Sequence, residues 1–369
     1  APRAFRIDPR GTPIPINARF HQQGPIISLD LPATTAQAHS NALPAGPTIS
    51  TLSYLGGEKQ DTAFAVAVDH KGFSYVAGQT SSRRFAGRSP DPKRSEDDID
   101  VFITKYRRID GHPVFTTFLG GTAEDRALAM LVEPDGSIVL CGETLSADFP
   151  VTGDAAPRAG QNWDAFLTHL APSGEVRRSI RLGGSGDDHA HALVRLADGR
   201  IAVAGETAST DFDGLSTIGN RAAGRDAFVA IVDEHGTPSG ARIGGAGDDA
   251  AYGITIDSQG RLCIAGETRS TDFPVLKAWQ ARPGGETDAF LARLDPTAQF
   301  LLFSSYIGAE NDDRAYSVAI DSADSLYVAG ETASLDLPVT NAVQAHFGGG
   351  MWDAFLVKFA PDNMDPLFV

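Results

Sequence analysis

Sulfur is scarce in this chain, with two cysteines and three methionines among 369 residues. Cys141 and Cys263 fall in well-separated stretches, so they are expected to be buried free thiols rather than a disulfide. Positive charge is also short: 31 Lys and Arg stand against 47 Asp and Glu, a formal net charge of −16. That balance argues against nucleic acid or an anionic membrane as the main partner, and favours cations or basic surfaces. No stretch approaches the roughly 18 uninterrupted apolar residues of a membrane helix. No segment shows the 3.6-residue period of an amphipathic helix. The nucleophile elbow GxSxG, the zinc motif HExxH, the P-loop and the glycine-rich dinucleotide fingerprint are all missing. The chain thus shows none of these four enzyme signatures, and the lack of helical periodicity favours an all-β reading.

What the chain does contain is repetition. A glycine closing the phrase AGET, in its cleanest form, recurs at Gly78, Gly142, Gly205, Gly266 and Gly330, at intervals of 64, 63, 61 and 64 residues. The phrase DAF, once DVF, recurs at Asp100, Asp164, Asp226, Asp288 and Asp353, at intervals of 64, 62, 62 and 65. A third anchor, LGG or IGG, starts at Leu55, Leu119, Leu182 and Ile243, with Ile307-Gly308-Ala309 as its worn copy. Three anchors on one period are the signature of a repeat architecture. Each unit holds four short runs rich in Val, Ile, Leu, Phe and Tyr, such as Ala251 to Asp257, separated by turn chemistry such as Asp257-Ser258-Gln259-Gly260. Four antiparallel strands in about 62 residues fit a propeller blade, which protects its edges by radial packing. The sequence predicts an all-β five-bladed propeller over residues 48–369, with Ala127 to Val132 and its equivalents as inner strands. Residues Thr48 to Leu55 resemble a last strand of a blade and Asp353 to Phe359 a third, so an N-terminal strand is expected to complete the closing blade.

Phrases such as Gly183-Gly184-Ser185-Gly186-Asp187-Asp188 and Gly266-Glu267-Thr268-Arg269-Ser270-Thr271-Asp272-Phe273-Pro274 resemble the SBBP-type β-propeller repeats of bacterial secreted and cell-surface proteins. The resemblance runs over roughly residues 48 to 360. It implies a propeller in an envelope or extracellular setting and no established catalytic residues. The chain begins at Ala1 without methionine, in keeping with a mature secreted, periplasmic or cell-surface protein whose export signal has been removed.

Residues 1–47 differ from the rest. They carry eight of the 22 prolines and four arginines against two aspartates, so they are locally cationic on an acidic chain. They are expected to form an extended arm, packed along the propeller or serving as a strap for a partner.

Strand alternation should bring the LGGxGDD loops and the long GETxSTDFP loops to one acidic face. Asp187, Asp188, Asp248, Asp249, Asp312 and Asp313 are the candidate oxygen ligands there, with Ca²⁺ the cation they would suit. The simpler role for such repeated acids is to accept hydrogen bonds from loop amides and hydroxyls. The first unit departs from the others, with Gln79 in place of Glu and a basic loop holding Arg83, Arg84, Arg88, Lys93 and Arg94. That loop is the candidate contact for a protein partner, and symmetry is broken there. His189 and His191 alternate along one strand and would share a face, but no third transition-metal ligand accompanies them. Trp163 and Trp352 precede the DAF aspartates, and Trp279 lies in a long loop. They would either cap the layers between blades or stack on a sugar. The sequence therefore points to a non-enzymatic binding or assembly module. A carbohydrate-active hydrolase or lyase using the acidic face and a glycan-binding lectin are the alternatives.

Overall fold

The computed structural model describes residues 54–85, 98–108, 110–152, 162–220, 224–342, 344–361 and 364–368, together with the backbone of four strands between Ala4 and Asp30. Those four are β1 (Ala4–Ile7), β2 (Pro13–Ile16), β3 (Arg19–Gln23) and β4 (Ile26–Asp30), paired as the hairpins β1–β2 and β3–β4. The described residues contain no helix.

Five antiparallel sheets follow, one per repeat. Blade one is β5 (Asp61–Val68), β6 (Ser74–Thr80), β7 (Asp100–Tyr106) and β8 (Pro113–Leu119). Blade two is β9 (Asp125–Val132), β10 (Ile138–Thr144), β11 (Asp164–Leu170) and β12 (Val176–Leu182). Blade three is β13 (Asp188–Arg195), β14 (Ile201–Thr207), β16 (Asp226–Val232) and β17 (Pro238–Gly244), with β15 (Leu215–Gly219) added in parallel outside β17. Blade four is β18 (Asp249–Ile256), β19 (Leu262–Thr268), β20 (Asp288–Leu294) and β21 (Leu301–Ile307). Blade five is β22 (Asp313–Ile320), β23 (Leu326–Thr332), β24 (Asp353–Phe359) and β25 (Pro366–Phe368). The place beside β24 that was expected to take an N-terminal strand is thus occupied by β25, which pairs Phe368 with Lys358 and Pro366 with Phe359. Residues 48–53 of the expected strand lie outside the described residues.

Apolar residues on both sides of each sheet drive the blades together, since burying about 25 cal/mol per Å² of apolar surface outweighs any single polar contact. Along the DAF strands the second and fourth residues pack on the next blade and the third and fifth on the previous one. Ala165 and Leu167 meet Ala190, Ile201, Val203 and Phe228, while Ala289 and Leu291 meet Ala315, Leu326 and Val328. Successive first strands pack in turn, β5 on β9, β9 on β13, β13 on β18 and β18 on β22, so they form the inner edge as expected. Cys141 and Cys263 are buried free thiols within these layers.

A β-bulge interrupts every first strand, leaving Phe64, Leu128, His191, Tyr252 and Tyr316 as the extra residue. The AGET glycine makes room for it. A Cβ on Gly205 or Gly266 would land on the carbonyl oxygen of His189 or Ala250 in the facing strand. The recurrence of that glycine is therefore a packing requirement of the bulge.

Candidate binding site on the inner edge

Each first strand opens with an aspartate, and in blades two to five it is sealed between blades. Asp125, Asp188, Asp249 and Asp313 have no solvent exposure. Asp188 accepts from the Thr207 hydroxyl, from Ser209 Oγ at 2.6 Å and from the Gly184 amide at 2.8 Å. Asp249 accepts from Ser270 Oγ and the Gly245 amide, both at 2.8 Å. The DAF aspartate of the preceding blade stands close by, and the first glycine of LGG separates the pair: a Cβ on Gly244 would collide with both Asp226 and Asp249. Burial pushes the Asp125 carboxyl up to about 7 and those of Asp249 and Asp288 to about 6, against the pull of their hydrogen bonds.

The other acids of the face hold loops. Asp187 accepts the Trp163 amide and Asp248 the Arg225 amide, both at 2.9 Å, while Asp312 sits 3.4 Å from Arg314 Nη2. The acids of the long loops reach across in the same way, with Asp148 on the Thr122 amide, Asp211 on Ser185 and Asp272 on Ala246. Both sets of loops thus meet at one end of the blades. The six proposed cation ligands divide into three buried, two that accept loop amides, and Asp312, which faces the Arg314 guanidinium. No group of three or more His, Cys, Asp and Glu that could hold a metal ion occurs among the described residues.

The structure instead brings together a row of rings that the sequence had left scattered. Trp163, His189, His191, Tyr252 and Tyr316 follow one another across blades two to five, with centroid separations of 6.1, 6.2, 5.0 and 5.7 Å. The two imidazoles are nearly parallel, at 6°. The bulge aims these side chains together, since His191, Tyr252 and Tyr316 are its extra residues. Behind the row stand the AGET glutamates. Glu143 bonds His189 Nδ1 at 2.6 Å and Arg126 Nη1 at 2.8 Å. Glu206 takes Arg225 Nη1 at 3.0 Å and lies 3.7 Å from His191 Nε2. Glu267 accepts from Tyr252 Oη at 3.0 Å and pairs with Arg314 Nε at 2.7 Å; Glu331 accepts from Tyr316 Oη at 2.6 Å. The Arg126 and Arg314 guanidiniums lie over the rings of Trp163 and Trp352 at 4.9 and 4.8 Å. These two tryptophans therefore belong to the ionic row, whereas Trp279 packs edge-on against Phe359 between blades.

The electrostatics of the row keep Glu143 and Glu206 charged. Burial works to raise Glu143, but the hydrogen bond and charge of His189, with Arg126, outweigh it and hold the carboxyl below its ordinary value. Glu206 behaves likewise through His191 and Arg225. Burial works to lower His189, and Glu143 reverses the sign. Blade one lacks the row: Thr62, Phe64 and Gln79 occupy the equivalent positions. In its loop the Arg83 and Arg84 amides bind the Glu58 carboxylate, while Arg88, Lys93 and Arg94 lie outside the described residues. One signal for the row was present in the sequence. The third residue after each inner aspartate is a ring in four of five repeats (Phe64, His191, Tyr252 and Tyr316), where the flanking positions are small.

Residues 302–338 match the SBBP β-propeller repeat family. A Caulobacter vibrioides protein named regulatory protein FlaEY is 24% identical over 286 residues, which is 72% of this chain but 29% of that protein. The chain thus spans under a third of that relative. Among solved structures, a protein from Lactobacillus plantarum is 12% identical with a TM-score of 0.43, covering 96% of this chain and 94% of its own. The Dos1 propeller has a TM-score of 0.43 at 10% identity, covering 84% and 68%, and a gluconolactonase from Xanthomonas campestris 0.35 at 15%, covering 72% and 68%.

Proposed function

We propose that this chain, which carries the SBBP-type β-propeller repeat, is a non-enzymatic binding module that holds a basic segment of a protein partner on its inner row. The observation that carries this reading is the division of labour among the carboxylates. Glycoside hydrolysis needs an accessible carboxylic acid of raised pKa beside a second, ionised carboxylate. Here the raised groups, Asp125, Asp249 and Asp288, are sealed between blades, and Glu143 and Glu206 of the row, also largely buried, are held ionised by basic partners. What the row offers a ligand is ring faces set among fixed negative charge. Lysine and arginine side chains fit that surface through cation–π contact and charge, each contact contributing about 0.5–2 kcal/mol. The acidic body would steer such a partner, with salt weakening the association.

Arg83, Arg84, Arg88, Lys93 and Arg94 would give the same partner a second, oppositely charged contact. A role exerted through binding accords with the regulatory designation of the Caulobacter relative. We assign the module to the envelope or the extracellular space on the resemblance of its repeats.

The test pairs turnover with binding. A panel of aryl glycosides should give no turnover above background, and a fluorescent lysine- and arginine-rich peptide should bind with an affinity that falls as salt rises. Turnover abolished by Glu206→Gln, without peptide binding, would establish the hydrolase instead.

A further inference from the structure

Among the described residues two apolar faces are left uncovered, and they flank one gap. In blades one to four the second and fourth residues of the DAF strand are buried: Val101 and Ile103, Ala165 and Leu167, Ala227 and Val229, Ala289 and Leu291. In blade five the equivalents are Ala354, which is exposed, and Leu356, which is 46% exposed. A groove lined by Leu335, Leu337, Val339, Phe347, Leu356 and Phe368 runs along this face. On the far side of the gap, Val66 and Val68 of β5 are 73% and 64% exposed, whereas Val318, the equivalent of Val66 in blade five, is buried. The packing that joins each inner strand to the next is not repeated between β22 and β5. Exposed apolar surface of this extent marks an interaction site.

We propose that residues 1–53 fill the gap as a two-faced β insert, packing on blade five by one side and on blade one by the other. The segment has the strand count of a blade, four strands in two antiparallel hairpins. Its register sets apolar residues opposite one another, Phe20 opposite Leu29 and Phe5 opposite Pro15. It joins the body at Tyr54, just before β5, so the tether delivers it to the gap at high effective concentration. Its four arginines against two aspartates are attracted to a body carrying the remaining excess of acid. A second copy is a poorer occupant. Its blade-one face on the first copy's blade-five face is a head-to-tail contact that covers every face only if the rotation closes a ring, whereas the tethered segment needs no such closure.

A photo-crosslinking residue placed at Leu356, and separately at Val66, in the full chain tests the insert. Both sites should cross-link within one chain to peptides from residues 1–53. The yield should fall several-fold when Phe20 and Leu29 are both changed to Asp, with the thermal transition of the blades retained. Cross-links from Leu356 to residues 64–68 would show that blade five closes directly on blade one. Links between two chains would show assembly by a second copy. Either result, cross-linking from one site only, or none from either, overturns the proposal.

Discussion

At the scale of single residues, the sealed aspartates set how stability depends on pH. Asp125, Asp249 and Asp288 have folded-state pKa values raised to about 7, 6 and 6, above the ordinary carboxylate value near 4 of an unfolded chain. The folded state therefore binds protons more tightly, and the stability they contribute is present below about pH 4 and lost as pH rises through 6 to 7. His189, raised against burial by its bond to Glu143, adds to the same trend. The melting temperature should accordingly rise on going from pH 8 to pH 5.5, and Asp125→Asn should flatten that rise. A melting temperature that falls over this interval would show these pairs to be solvated. The recurrence of Asp in every unit was legible in the sequence, but which copies are sealed was not. Asp272 is exposed, so Asp272→Ala is expected to cost about 0.5–1.5 kcal/mol, less than a buried acceptor would. Asp249→Ala, which strands a buried hydroxyl and amide, should cost about 1–3 kcal/mol or more in denaturant melts at neutral pH.

At the scale of elements, the glycine phrases do more than mark turns. Gly266 faces the backbone of Ala250 at the bulge, and neither side of that contact is a flexible side chain. Gly266→Ala should therefore destabilise by about 1–3 kcal/mol or more, a loss measurable as a lower denaturant midpoint. The same exchange at Gly111, whose added Cβ meets nothing within 4 Å, should act only through its φ of 65° and cost less. Period and strand composition made the four-stranded units readable, because alternation and turn residues are local properties. The bulge was not readable, because it depends on two strands facing each other; the recurring ring at the position of His191, Tyr252 and Tyr316 could be read, but not that the bulge gathers these side chains into a row. Strand β15 was missed for another reason: Leu215–Gly219 has weak strand composition and is held by its parallel neighbour β17.

At the scale of the whole molecule, repetition supplies the frame, and the proposed binding row lies where the repeats depart from one another. Repeated acids fix loops and seams in each blade, so their charge is spent internally. The inner row is where repeats differ, with Arg126, His189, Ala250 and Arg314 at one position and Leu128, His191, Tyr252 and Tyr316 at the next outward-facing one. The most direct test of this account is the affinity of the full chain for a lysine- and arginine-rich peptide, measured alongside the melting temperature for three proteins: wild type, His191→Ala with Tyr316→Ala, and Asp272→Ala. The row variant should lose affinity about tenfold or more, equivalent to about 1.4 kcal/mol, while melting close to wild type. Asp272→Ala should bind as wild type does. Unchanged affinity in the row variant, or an equal loss in Asp272→Ala, would contradict the assignment of binding to the inner edge.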